Sequence, residues 1–241
     1  MKRLKWQIFL GLSLVILAGI LHLIHYFIFR DARQLLFYMV DDIAFIPIQV
    51  LLVTLIINGF LNIREKRAKM QKLNMVIGTF FSVVGTRLLA SLSTFNPNIS
   101  DLAKLLIITG KWDDEKFSQV SKQLKTYEYV IEKQNGDLQE LKAFLVGERN
   151  FLLGLLANPN LLEHNRFTDL LWAVFHLMEE LAFQNDITQI SDEDQNHILV
   201  DIKRAYTLLI YEWLEYMKHL KDSYPYLFAL AMKTNSFRIY D

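Results

Sequence analysis

Hydrophobic positions follow two different rhythms along this chain. From Trp6 to Phe29 (WQIFLGLSLVILAGILHLIHYFIF) and from Ile43 to Leu61 no residue is charged, and apolar side chains surround the helix that each run predicts. At about 1.5 Å per residue the first helix is about 36 Å long and the second about 28 Å, enough to cross a hydrocarbon core. Beyond Leu61 the rhythm changes to steps of three, four and seven. Ile63, Met70, Leu73, Ile77, Phe81, Val84, Leu88 and Leu92 share one face of an amphipathic helix, and Gly78 and Gly85 border it. Two readings of that helix stay open. It is a signalling or dimerising rod in which the glycines admit a second helix, or a plain amphipathic helix that lies on the bilayer or caps the following bundle.

The rest of the chain repeats the helical rhythm between short breaks. Asn96-Pro97-Asn98 is a turn, with Ser100 as the expected N-cap of a short helix that Gly110 stops. Asp113 caps the next helix, whose stripe is Phe117, Val120, Leu124, Tyr127 and Ile131. After the Asn135-Gly136 turn the period resumes over 138–157, and Asn158-Pro159-Asn160 breaks it again. Two long helices are predicted over about 165–184 and 197–223. Tyr224-Pro225-Tyr226 then leads into a last short helix and a loose polar tail that includes Lys233 and Arg238. No segment alternates long enough to predict a strand. The expected fold is all-α: a two-helix transmembrane hairpin (1–62, spans about 6–29 and 43–61), a membrane-proximal amphipathic helix (63–96) and a cytoplasmic helical bundle (97–241).

Charge orients this arrangement. Lys2, Arg3 and Lys5 precede the first span, and Arg64, Lys66, Arg67, Lys69 and Lys72 follow the second. The connection from Arg30 to Asp42 carries only Arg30 and Arg33, beside Asp31, Asp41 and Asp42. The positive-inside rule therefore places both termini in the cytoplasm of a multi-pass cell-membrane protein, with a short loop outside. A cleaved signal peptide fits less well, because the apolar run is too long and no A-x-A site follows. His22, His25, Gln49, Thr54 and Asn58 are the polar residues within the spans, and isolated neutral groups of this kind usually serve helix packing.

Composition narrows the chemistry. The 241 residues balance 26 Lys+Arg against 26 Asp+Glu, so no basic excess points to nucleic acid. The chain contains no cysteine, which excludes disulfides, thiol catalysis and Cys-ligated zinc or iron–sulfur centres. With 9 Gly and 4 Pro, it has little material for phosphate-binding loops, and no P-loop or dinucleotide fingerprint occurs.

The stretches LNMVIGTFFSVVG (Leu73–Gly85), FTDLLWAVFHLMEEL (Phe167–Leu181) and YPYLFALAMKTNSF (Tyr224–Phe237) resemble uncharacterised prokaryotic two-span membrane proteins with an α-helical cytoplasmic domain. The resemblance implies the architecture and carries no activity, cofactor or site residue.

The long helices carry the candidate chemistry. Asp169, His176 and Glu180 share one face of the first, and Glu212, Glu215 and His219 follow one another on the second. Di-metal bundles use Glu-x-x-His pairs facing inward. Here the order is reversed or the spacing wrong, and Asp169, His176 and Glu180 lie opposite the apolar arc, as on a solvated face. His164 lacks the acidic neighbour and following proline of a phosphoaccepting His box. Ser82, Ser91 and Ser93 stand on a helix without a base or a G-x-S-x-G elbow. No catalytic, cofactor-binding or metal residue is therefore assigned, and no cofactor is expected. Trp172, Phe183 and Tyr211 fall away from the apolar faces, where aromatics anchor partners. The expected function is a non-enzymatic, membrane-anchored interaction or scaffold module that binds the bilayer and either itself or a protein partner. The alternatives are a transmembrane signalling subunit and a metal-dependent enzyme built on the His176/Glu180 and Glu215/His219 faces.

Overall fold

A computed structural model describes residues 2–30, 32–159, 161, 165–187 and 189–237. Every regular element among the described residues is helical, and the chain divides into two compact units, Met1–Lys66 and Arg67–Asp241.

The first unit holds α1 (Lys2–Phe29) and the N-terminal part of α2 (Ala32–Phe80). Two helices here are long and apolar enough to cross a membrane, with mean hydropathy 2.0 within Gly11–Ile28 and 2.2 in the best window of the second. Their large side chains, among them Leu12, Val15, Ile16, Val50 and Leu55, are exposed. The expected 13-residue loop from Arg30 to Asp42 is much shorter in the structure. Arg30 makes the turn at φ 46°, a left-handed conformation uncommon for a non-glycine residue, and α2 already begins at Ala32. No glycine or proline interrupts the chain from Ala32 to Ile46, so the helix simply starts earlier, and Pro47 lies inside it. His22 turns its Nδ1 to the Ala18 carbonyl of its own helix at 2.9 Å.

The second unit takes up the amphipathic face. Leu73, Ile77, Phe81, Val84, Leu88 and Leu92 are all buried, whereas Met70 stays exposed. From Leu73 to Phe95 the segment expected as a separate 63–96 piece is thus part of this unit's core. A π-helical turn, Phe81–Gly85, joins α2 to α3 (Thr86–Ser93), and the Thr86 hydroxyl donates to the Phe81 carbonyl at 2.8 Å. A Cβ on Gly85 would stand 2.7 Å from the Phe81 ring and 2.8 Å from that of Phe80. Within the chain, the Phe80 and Phe81 rings occupy the space over this glycine. Gly78 is less critical, since a Cβ there meets Tyr216 at an ordinary 3.7 Å.

The remaining elements are α4 (Ile99–Leu106), α5 (Asp114–Thr126), α6 (Leu138–Gly147), α7 (Arg149–Leu156), α8 (Asn165–Phe183), α9 (Asp192–Ser223) and α10 (Pro225–Lys233). The Asp113 cap forms as expected, accepting the Lys116 N–H at 2.8 Å. Two boundaries differ from the sequence reading. Asn98, not Ser100, precedes α4. The α5 stripe ends at Leu124, because the chain turns extended at Tyr127 and carries Tyr129 into the core beside Tyr206. The Glu132 N–H then donates to the Phe95 carbonyl at 2.8 Å. The expected 138–157 helix is broken at Glu148 into α6 and α7. α8 and α9 pack antiparallel at the centre, as the pairings Arg166–Glu212 and His176–Asp201 show. Lys233, expected to be loose, closes α10, and beyond it Phe237 is buried against Trp213 while Asn235 donates to the Leu106 carbonyl at 3.0 Å. Arg238 lies outside the described residues.

Candidate functional site

α9 is 32 residues long and starts five residues earlier than the periodicity predicts, because Ser191 caps it by accepting the Asp194 N–H at 3.1 Å. Neighbours cover α9 on several sides, so its buried arc is wider than the single face Ile202, Tyr206, Leu209, Trp213, Met217 and Leu220. Ile210 and Leu214 are also buried, and so is Glu212, at 2% exposed. Ile210 and Leu214 lie on one flank of the main face and Glu212 on the other, so the apolar pattern carries no sign of its burial.

Glu212 lines a cavity of about 300 Å³ together with Asn74 of α2, Arg166 of α8 and Glu215, Tyr216 and His219 of α9. Its Oε1 accepts no hydrogen bond among the described residues. Nε of Arg166 stands 4.0 Å from that oxygen, within ion-pair reach but too far for a hydrogen bond. Burial pushes the Glu212 carboxyl up to about 7, against the pull of Arg166, and the charge of Glu215 adds to the rise. His219 shares a hydrogen bond of 3.2 Å with the Asn74 amide, and burial holds its pKa below the usual histidine value despite the nearby Asp222. Lys218 is engaged by Asp114 at 3.1 Å, and that hydrogen bond holds its pKa up. The structure therefore joins Glu212, Glu215 and His219 in one cavity and brings in Asn74 and Arg166, which sequence reasoning missed.

The other sequence-named face is also part of a cluster. His176 and Glu180, one turn apart on α8, meet Asp201 of α9, and one donor atom from each lies within 4.8 Å of the others. Nε2 of His176 is 3.3 Å from Asp201. Burial, a hydrogen bond with Asp201 and the charges of Asp201 and Asp194 together push Glu180 up to about 7. A histidine and two carboxylates are a chemically competent donor set for a divalent cation. Within the trio the closest described approach is that of His176 to Asp201. Asp169 is exposed and outside the trio, and His164 lies outside the described residues.

Ser93 is buried, donating to the Leu89 carbonyl at 2.7 Å and meeting the Tyr206 hydroxyl at 3.1 Å, as a packing residue would. Trp172 is 55% exposed and Phe183 85%, whereas Tyr211 is half-buried against the core.

The two helical units have counterparts in known families. Residues 69–233 match the family described as "Uncharacterized protein MJ1433, C-terminal helical domain", and residues 2–61 match "MJ1433, N-terminal helical domain". The chain is 40% identical over 233 residues to the uncharacterized protein MJ1433 of Methanocaldococcus jannaschii, covering 97% of this chain and 94% of that protein. The chain belongs to the MJ1433 family of helical proteins. No solved structure matches it.

Proposed function

We propose that the protein is a membrane-anchored helical interaction module. α1 and the apolar part of α2 form the anchor, and the Arg67–Asp241 unit stands at the cytoplasmic face, where it binds itself or a protein partner. One observation carries the reading: the described apolar side chains of α1 and of α2 up to Leu61 are exposed, and none of those within the two apolar windows is buried. Water solvates such a surface at high cost, and a hydrocarbon core does not. The clusters Lys2, Arg3, Lys5 and Arg64, Lys66, Arg67, Lys69, Lys72 support cytoplasmic termini.

Trp172 and Phe183 are among the exposed aromatic side chains that a partner would meet. The experiment is alkaline carbonate extraction of cell membranes, followed by in-cell crosslinking from photoreactive residues at 172 and 183. The expected result is a carbonate-resistant protein that forms a discrete crosslinked product. Release by carbonate would end the anchored reading, and the absence of any crosslinked product would end the interaction reading.

A further inference from the structure

We propose that the cavity over Glu212 binds a small aliphatic amine, whose ammonium group is held by the Glu212 carboxylate. The first support is the carboxylate itself. It is almost wholly buried, it lines a cavity of about 300 Å³, and its Oε1 lacks a hydrogen-bond donor among the described residues. A buried polar atom of this kind is normally paired, so an N–H donor is what the site lacks. Arg166 does not supply it. Its Nε remains 4.0 Å away and its side chain is 58% exposed, free to swing aside when another cation enters.

Charge selects the sign of the ligand. Glu212, Glu215 and Asp222 oppose Arg166 and Lys218 around the cavity, and Lys218 is already committed to Asp114. Ionised, the lining carries one net negative charge, and a cation restores neutrality. The walls select its character. Met70, Ile77 and the Tyr216 ring give the cavity apolar sides, which suit a methylene chain better than a hydrated metal ion needing several oxygen ligands. Glu215 lies three residues beyond Glu212, about one turn of α9 away, and offers a second carboxylate to the other end of a short diamine.

The test is isothermal titration of the purified full-length protein in detergent at pH 8 with 1,4-diaminobutane. 1,4-Butanediol serves as the neutral control of similar size. The diamine is expected to bind in a single saturable event, and the diol at least about tenfold more weakly. Glu212→Gln, shown to be folded by circular dichroism, should weaken the diamine about 10- to 100-fold. Arg166→Gln should bind it as tightly as wild type or more tightly. Should Glu212→Gln not fold, Glu215→Gln on the exposed rim is expected to weaken binding by a smaller factor. Absence of saturable diamine binding, equal affinity for the diol, or undiminished binding by folded Glu212→Gln (by Glu215→Gln, should the former not fold) would overturn the proposal.

Discussion

The Met1–Lys66 and Arg67–Asp241 units draw on the same aliphatic and aromatic residues and treat them in opposite ways. In the second unit Phe80, Phe81, Leu88, Phe167 and Tyr206 are shielded from solvent, and polar residues take the outer faces. In the first, Leu12, Ile16, Phe27, Leu51 and Ile56 stand exposed with few polar residues among them. The difference lies in periodicity. Steps of three and four let one face be buried by neighbouring helices, whereas an uninterrupted apolar surface can only be buried by a non-aqueous solvent or another protein. Hydrophobic content alone says little; its arrangement around the helix decides which solvent each unit needs.

Removing one large side chain from each region should separate them most sharply. Phe81→Ala is expected to cost the helical unit about 3–5 kcal/mol, because the ring is buried and stacks on Tyr216 at 4.8 Å between centroids. Ile16→Ala in the exposed apolar helix should change the same unfolding transition by less than about 0.5 kcal/mol. Thermal unfolding of the two variants in detergent checks this, and equal losses would break the distinction between the regions.

Glu212 gives the next largest effect. Its folded pKa of about 7 lies above the ordinary 4.5, so the folded state holds the proton more tightly than the unfolded chain. The resulting stabilisation is fully present below about pH 4.5 and is lost as pH rises through 7, amounting to about 3 kcal/mol at most. Arg166 of α8 and Glu215, Lys218, His219 and Asp222 of α9 face the same cavity, with Asn74 of α2 its neutral neighbour. His219, whose pKa is lowered, contributes with the opposite sign: its stabilisation appears above about pH 6.5 and fades as pH falls. Glu212→Gln should leave this background and remove the loss on alkalinisation. Melting curves without amine from pH 5 to 8 should therefore show the variant gaining on wild type as pH rises.

Gly85→Ala has a smaller expected cost, about 1–3 kcal/mol, because its Cβ forces the Phe80 and Phe81 rings to move. Gly78→Ala should cost much less, since the added methyl only touches Tyr216. Unfolding midpoints of the two variants measure the contrast. A loss of self-association without destabilisation in Gly85→Ala would instead revive the glycine as a helix-contact site between chains.

Much of the helical plan was legible because it rests on local periodicity. The α8 face from Phe167 to Leu181 and the α9 face from Ile202 to Leu220 are buried as their spacing predicts. The Asp113 cap was visible for the same reason. What was not legible depends on partners distant in sequence. Tyr127 and Ile131 continue the α5 pattern, yet Phe95 and Tyr206 draw that segment into an extended path. His176 and Glu180 were visible as a pair, but Asp201 joins them only through the antiparallel packing of α8 and α9. Glu212 resembled any surface carboxylate on a polar stripe until the breadth of the α9 interface buried it.

In the proposed arrangement the first unit lies in a bilayer with both termini inside. Because the chain has no cysteine, single cysteines report topology without background. The decisive measurement compares Arg33→Cys and Ser100→Cys in cells treated with a membrane-impermeant maleimide before and after permeabilisation. The hairpin predicts labelling at 33 in intact cells and at 100 only after permeabilisation. Labelling at 100 in intact cells, or at 33 only after permeabilisation, would contradict it.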